Sequence, residues 1–313
     1  MVTLGNFDGV HAGHRAVLAR TVEAARAGGA RAVAVTFDPH PLQVLRPERA
    51  PQLVTGLQQR LNLIEAIDLD AALVLTFTRE LAAWTPEQFV DRVLVQALRA
   101  SAIVVGRDMR FGHRGSGDVS TLAALGAQHG FVVEVLEDLT ADDGSRRASS
   151  AWVRELLAEG DVAGAATLLG RPHRVSGRVV HGDHRGRELG YPTANLEQDV
   201  EGMVPADGVY AGWLLRPALP QGSPERLLPA AISIGTSPTF EGTQRRVEAY
   251  ALDRTDLDLY GEDVALEFVQ RLRPTVRFEG VDALVEQMTR DVEQCRELLG
   301  GAIVPEAPEG PQP

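Results

Sequence analysis

The sequence lacks features that several classes of protein require. Cys295 is the only cysteine in 313 residues, so the chain can form neither an internal disulfide nor a cysteine-based zinc site. No apolar run approaches the length of a membrane span, and no basic segment precedes an apolar stretch at the start, so we expect a cytoplasmic protein without a membrane partner. The 31 basic residues face 43 acidic ones, a formal net charge of -12, so nucleic acid is not an expected partner.

The chain does contain enough apolar sequence for two cores. Hydrophobic residues make up 44% of it and charged residues 24%, which is typical of a globular protein. A length of 313 residues exceeds one ordinary core and predicts two domains. No internal repeat is apparent and the two halves differ in pattern, so we expect two different domains, while the oligomeric state stays open.

The first half alternates short strand-like runs with helical patterns, which is typical of a parallel sheet covered by helices. Strands are predicted at 2–4, 31–36, 71–77, 102–105 and 132–136, and helices at 14–27, 57–67, 86–98 and 119–129. The pattern therefore predicts an α/β nucleotide-binding domain, to which we assign residues 1–169.

The second half changes character after two more predicted helices, at 153–159 and 162–169. Short β segments separated by glycine and proline turns are predicted at 175–180, 208–215, 230–234, 246–252 and 264–272. They favour a small antiparallel β-barrel, against which a helix over 281–299 packs. We assign residues 170–299 to this domain and expect a disordered tail over 300–313.

A glycine-rich segment at 5–14 lies directly between the first strand and the first helix. Ligands bind at the carboxyl ends of strands in open α/β sheets, and the start of the following helix offers N–H groups to a phosphate. His11 and His14 are three residues apart, so they can face one place, and Gly13 lets the backbone approach a ligand. The segment predicts a phosphate-binding site.

This segment, GNFDGVHAGH, resembles the HxGH signature of the nucleotidyltransferase superfamily in the form typical of bacterial FAD synthetases. Three further segments resemble that family in order: TFDPHP at 36–41, VVGRDMRFG at 104–112 and ASSAWVR at 148–154. The resemblance implies a Rossmann-like domain that adenylylates FMN with ATP, in which His11 and His14 stabilise charge on the transferred phosphate. It also implies nucleotide or phosphate contacts from Gly5, Asn6, Asp8, Gly13, Asp108, Ser149, Ser150 and Arg154, with Asp108 contacting magnesium or ribose.

Two residues depart from that family's pattern. Met109 replaces a phenylalanine, which is a tolerable packing change. Ala151 replaces a serine or threonine of the phosphate clamp, and we expect the lost hydroxyl to slow adenylylation. Relatives also carry a short stretch before the first strand, so we expect the natural start upstream of Met1.

A second glycine-punctuated loop, at 182–195, ends in the tetrapeptide PTAN. It resembles the riboflavin kinase signature GRxLGFPTAN, and PADGVYA at 205–211, SIGTSPTF at 233–240 and LYG at 259–261 follow in that family's order. The resemblance implies that Thr193 and Asn195 bind Mg²⁺ and that Glu248 accepts the proton of the riboflavin 5′-hydroxyl. Gly182, Arg187 and Gly190 are expected to cover the phosphates. Ser233 occupies a position where the family usually has asparagine, and Tyr191 one where it has phenylalanine. Neither change is expected to abolish the kinase activity.

Together the two resemblances cover residues 1–299 and identify the chain as a member of the bifunctional riboflavin kinase and FMN adenylyltransferase family. They imply riboflavin, FMN and ATP as substrates, Mg²⁺ as the cofactor, and FMN and FAD as products. They also imply that the β-barrel has six strands.

Three alternatives stay open at this point. Ala151 could have disabled adenylylation, leaving a kinase alone. A non-catalytic flavin sensor could have kept the pockets, although the residues that only chemistry needs are present. Another nucleotidyltransferase, acting on pantetheine phosphate or glycerol phosphate, would account for His11 and His14 but leaves 192–195 unexplained.

Overall fold

The computed structural model describes residues 1–137, 146–182, 189–239 and 242–300, with the backbone alone at 237–239 and 242–244. Contacts between Cα atoms divide the described chain into two units. One comprises Met1–Gln52 and Gly56–Ser150, and the other comprises Leu53–Thr55 and residues 151–300. The domain boundary placed after residue 169 stays a prediction. Of the predicted tail, 301–313 lies outside the described residues.

A five-stranded sheet organises the first unit, and all four of its strand pairings are parallel. Its strands are β1 Val2–Leu4, β2 Val33–Asp38, β3 Ala71–Thr76, β4 Ala102–Gly106 and β5 Val132–Leu136, in the order β3-β2-β1-β4-β5. The connecting helices are α1 Ala12–Ala27, α2 Pro41–Leu45, α3 Leu57–Glu65, α4 Pro86–Phe89 and α5 Val119–His129, with 3₁₀ turns at Pro47–Arg49, Leu81–Ala83 and His113–Gly115. The predicted α/β architecture is confirmed.

Apolar side chains cover both faces of this sheet, because neighbouring residues of a strand point to opposite sides. Val35 packs with Ile103 and the helical residues Val90 and Leu122 in one core cluster. Ala34, the residue before Val35, packs in a second cluster, which also contains Leu18, Leu63 and Ile64. Burial on both faces explains why these strands read as nearly continuous apolar runs.

Two of the differences between the predicted and the observed helices have a local cause. α1 begins at Ala12 rather than at residue 14, because the His11 side chain accepts a hydrogen bond from the His14 amide and caps the helix. The helix predicted over 86–98 begins as α4 with a Thr85–Gln88 capping box, but Val90–Ala97 continues it as π-helical turns.

A closed six-stranded barrel organises the second unit, so the predicted antiparallel barrel and its strand number are confirmed. Its strands are β6 His173–Val180, β7 Ala194–Leu196, β8 Gly208–Leu215, β9 Leu227–Thr239, β10 Gly242–Ala251 and β11 Asp263–Arg273, in the order β10-β7-β6-β11-β8-β9. Two helices, α6 Ser150–Glu159 and α7 Val162–Leu169, precede the barrel in the chain. The sequence did not predict β7, which has only three residues.

A C-terminal helix, α8 Val281–Leu299, packs on this barrel as predicted. Its buried residues Val292, Cys295 and Leu299 share a core cluster with Ala211 and Tyr250. Cys295 is fully buried, and burial raises the pKa of its thiol to about 12, so it is an inert core residue. Over the ranges that the structure describes, no helix combines the length and apolarity needed to cross a membrane.

Candidate active sites

The loop between β1 and α1 has a strained backbone. Phe7 and Val10 have φ angles of 49° and 41°, and Gly9 between them has a φ of 82°. Left-handed conformations are unfavourable for large and β-branched residues and cluster at functional sites. The Val10 amide donates to the Phe7 carbonyl at 3.0 Å, which closes a tight turn immediately before α1. This turn leads directly into α1, in which His11 is the N-cap and His14 lies in the first turn.

The rings of His11 and His14 stack, with their centroids 3.7 Å apart and their planes at 22°. The His14 amide donates to His11 Nδ1 at 3.4 Å, which fixes the His11 ring. A Cβ atom on Gly13 would lie 3.2 Å from His11 Cε1, so glycine leaves room for this ring. The structure thus brings the two predicted histidines together at the start of α1.

His14 is an uncharged imidazole at neutral pH. Burial lowers its pKa well below 6.5, and the nearby His11 and Arg147 lower this pKa further. Among the described residues, buried His14 Nδ1 has no hydrogen-bond partner. A neutral imidazole carries one N–H donor, so a neutral His14 can donate one hydrogen bond to an anionic ligand without adding a full charge.

Asn6 connects the histidine loop to the neighbouring strand. Its carbonyl accepts hydrogen bonds from Thr36 Oγ1 at 3.2 Å and from Arg60 Nη1 at 3.0 Å. Its side-chain nitrogen lies 3.4 Å from Nε2 of buried His40, whose Nδ1 accepts from the Leu42 amide and caps α2. The two strand ends thus form one connected polar network.

A cavity of about 490 Å³ opens at the carboxyl ends of these strands. The predicted site residues that line it are Gly5, Asn6, His11, Gly13, His14 and Asp108. Its apolar wall includes Phe37, Phe77, Leu81, Met109 and Phe111. The cavity therefore suits a ligand that carries both a phosphate and a flat apolar group.

Arg147 also lines this cavity, and sequence reasoning missed it. Its Nη2 donates to Asp108 Oδ2, which joins the end of β4 to the segment before α6. Arg147 directly precedes the ASS motif at 148–150, and that position in a phosphate-clamp motif was the available signal. The Arg147 guanidinium supplies positive charge at the polar end of the cavity.

Four predicted contacts do not line the cavity. Asp8 is 1% exposed, and its carbonyl accepts a hydrogen bond from Ser150 Oγ at 2.8 Å. Within the described chain, the cavity lining includes neither Asp8 nor Ser149 nor Ser150. Arg154 lies on α6 within the second unit. Nucleotide or phosphate binding by these four residues stays a prediction.

The barrel carries the second group of predicted residues. Asn195 Nδ2 donates to Thr193 Oγ1 at 3.3 Å, so a hydroxyl and an amide lie side by side. With Gly182 and Tyr260 they line a cavity of about 220 Å³. Gly190 has a φ of 86°, a left-handed conformation that favours glycine. Predicted Arg187 lies outside the described residues.

The strand register places Glu248 next to Asn195. Glu248 of β10 lies directly opposite Asn195 of β7 on one side and Ser233 of β9 on the other. Residues directly opposite each other in antiparallel strands point to the same face. Glu248, Asn195 and Ser233 therefore share one face of the barrel.

Gly182 is predicted to be essential for the position of Asn195. A Cβ atom at Gly182 would lie 2.5 Å from Asn195 Cγ, so Gly182→Ala must displace the Asn195 side chain. We expect riboflavin phosphorylation to fall by about tenfold or more, the scale of disturbing a residue that orients a metal ligand. FMN adenylylation, measured in the same preparation, should stay at the parent level. An unchanged kinase rate would contradict the role of Asn195.

A Rossmann-like domain with a stacked histidine pair at the start of its first helix, followed by a closed barrel in which Ser233, Asn195 and Glu248 share one face, defines a two-domain nucleotide-dependent transferase. Residues 1–151 match the FAD synthetase family model, and residues 169–299 match the riboflavin kinase family model. The chain belongs to the bifunctional riboflavin kinase/FMN adenylyltransferase family.

Relatives from several bacteria match over nearly the full chain. The bifunctional riboflavin kinase/FMN adenylyltransferase of Escherichia coli strain K12 is 38% identical over 300 residues, covering 96% of this chain and 93% of the relative. The Bacillus subtilis protein of the same name is 32% identical, covering 94% and 91%. A crystal structure described as a macrolide-efflux protein from Streptococcus pneumoniae is 30% identical with a TM-score of 0.83, covering 94% of this chain and 93% of that chain.

Proposed function

We propose that this chain makes FAD from riboflavin in two ATP-dependent steps, phosphorylation of riboflavin to FMN and adenylylation of FMN to FAD. The observation that carries the proposal is that each family model covers its own domain, and each domain groups residues suited to its reaction. The cytoplasm stays the predicted location, and the absence of a nucleic-acid partner stays a prediction.

The adenylyl-transfer step is assigned to the cavity at the end of the parallel sheet. A phosphate oxygen of FMN attacks the α-phosphorus of ATP, and pyrophosphate leaves. The FMN phosphate is already an anion, so the step needs positioning and charge stabilisation rather than a base. His11, His14 and Arg147 supply hydrogen bonds and charge to the phosphates, while Phe37 and the rest of the apolar wall receive the flavin ring.

The kinase step is assigned to the barrel. The 5′-hydroxyl of riboflavin attacks the γ-phosphorus of ATP, and ADP leaves. Glu248 accepts the hydroxyl proton as the new bond forms. The carboxylate shares a face with Asn195, so its place beside the other predicted kinase residues supports this role.

Thr193 and Asn195 fit a Mg²⁺ ion by their chemistry. Both offer uncharged oxygen atoms, which are the hard ligands that Mg²⁺ takes alongside water and substrate phosphates. Asn195 Nδ2 lies 3.3 Å from Thr193 Oγ1 and both residues line the same cavity, which supports a shared role. When bound, Mg²⁺ neutralises charge on the β- and γ-phosphates.

Removal of Mg²⁺ is predicted to stop both steps. Each step moves a polyphosphate group, and a chain of net charge -12 has little capacity to neutralise that charge alone. We expect excess chelator to abolish FMN and FAD formation and added Mg²⁺ to restore both. Full turnover in excess chelator would contradict the metal assignment.

Two separate half-reactions test the proposed function. Riboflavin with ATP should give FMN and ADP, and FMN with ATP should give FAD and pyrophosphate. A kinase reaction without adenylylation would favour the single-activity alternative that Ala151 suggests. Flavin binding without either product would favour the sensor.

A further inference from the structure

Arg60 on α3 is a cation buried in the first unit. Its side chain is 1% exposed. Among the described residues, Arg60 does not line the adenylylation cavity. Its Nη1 donates to the Asn6 carbonyl and its Nη2 to the Phe37 carbonyl, both at 3.0 Å. Arg60 thus joins α3 to the chain just after β1 and to the end of β2.

The guanidinium of Arg60 interacts with the carboxylates of Asp8 and Asp38. Nη2 lies 4.0 Å from Asp38 Oδ1. Burial lowers the pKa of the guanidinium, and Asp8 and Asp38 act against that shift, but arginine stays protonated in proteins. In the described chain its Nε has no hydrogen-bond partner. Burying a cation with an unpaired donor is unfavourable, so simple core filling would favour an apolar side chain.

One contact of Arg60, with the Asn6 carbonyl, lies next to a strained turn. Asn6 directly precedes Phe7, and the left-handed residues Phe7 and Val10 lead into the helix that carries His11 and His14. Such conformations persist only where the surroundings hold them. Without Arg60, the Asn6 carbonyl would keep the Thr36 hydroxyl but lose its charged donor.

We propose that Arg60 is a positioning residue for adenylyl transfer: it holds the Asn6–Val10 loop so that His11 and His14 face the transferred phosphate. The inference rests on the proposed function. Arg60 acts through the loop backbone and not by contact with the nucleotide. Arginine suits this place because its planar fork donates to two carbonyls at once, while lysine supplies a single ammonium.

The test compares Arg60→Met and Arg60→Lys with the parent enzyme in both half-reactions. Arg60→Met should lower kcat for FMN adenylylation by about a hundredfold, the scale of a misplacement near 1 Å. KM for ATP and FMN should change by less than about threefold, because the displaced histidines lose interactions made in the transition state rather than in the ground state. The kcat of Arg60→Lys should be about tenfold higher than that of Arg60→Met, since lysine keeps the charge and one donor. Riboflavin phosphorylation should stay at the parent rate in both variants.

Loss of stability alone is controlled by Leu125→Ala, which shortens a buried side chain in the core cluster that contains neither Phe7 nor Val10. It should lower the melting temperature and leave kcat at the parent level when assayed below the melting transition. If Arg60→Met does not fold, the proposal is tested by Arg60→Lys alone. This variant should have a kcat about tenfold below that of the parent and an unchanged KM.

Three results would overturn the proposal: parent-like kcat in the folded variants, an equal fall in Leu125→Ala, or a rise in KM without a fall in kcat. A parent enzyme that fails to adenylylate FMN would instead overturn the proposed function. The parent assay therefore separates the two failures.

Discussion

The His14→Ala protein is expected to phosphorylate riboflavin at the parent rate and to accumulate FMN. Its adenylylation of FMN should fall by at least about a hundredfold, the scale of removing one preorganised donor from a developing charge. The substitution removes a neutral imidazole that faces the cavity and stacks on His11 at 3.7 Å. Chromatography of FAD formed from supplied FMN and ATP measures the loss.

His129→Ala is the matched control for this substitution. His129 ends α5, is exposed, and belongs to the same unit. Its replacement should leave both half-reactions at the parent rate. If His14→Ala abolished both activities in a folded protein, a single shared flavin site would have to replace the two-site assignment.

The Glu248→Gln protein is expected to show the opposite behaviour. Glutamine keeps the shape of the side chain opposite Asn195 but is a poor proton acceptor, so riboflavin phosphorylation should fall by at least about a hundredfold. Supplied FMN should still become FAD at the parent rate. Phosphate transfer to riboflavin, followed as FMN by chromatography, measures the effect.

Glu279→Gln provides the control in the second unit, because it makes the same change of charge at an exposed position. It should leave the kinase rate unchanged. A Glu248→Gln enzyme with parent kinase activity would remove Glu248 from the role of base and leave the barrel without an assigned proton acceptor.

Much of the fold follows from local pattern. Helix α5 and strand β5 have the predicted bounds, because Gly130 ends the apolar helical period in a left-handed C-cap and the β-rich run begins at Val132. Residues 235–239 of β9 were not predicted, because Gly235, Ser237 and Pro238 are poor strand formers. The pairing of β9 with β10 determines its length, and that pairing is not a local property.

The candidate sites were predictable only where one segment carries them. His11 and His14 lie in one short motif, so their proximity in the structure could be predicted. Arg60 comes from a distant part of the chain and reaches the Asn6 carbonyl through the fold, which a local pattern does not encode. Asp8 is buried between left-handed Phe7 and Gly9, and its contact with the ligand stays a prediction.

The most direct test of two sites on one chain is a single incubation of the parent enzyme with riboflavin, ATP and Mg²⁺, sampled over time by chromatography. We predict that riboflavin disappears, that FMN forms first, and that FAD then accumulates as FMN is consumed. The same incubation with a mixture of His14→Ala and Glu248→Gln, each unable to make FAD from riboflavin alone, should restore FAD formation. Unchanged riboflavin, or FMN that never becomes FAD in the parent incubation, would contradict the account.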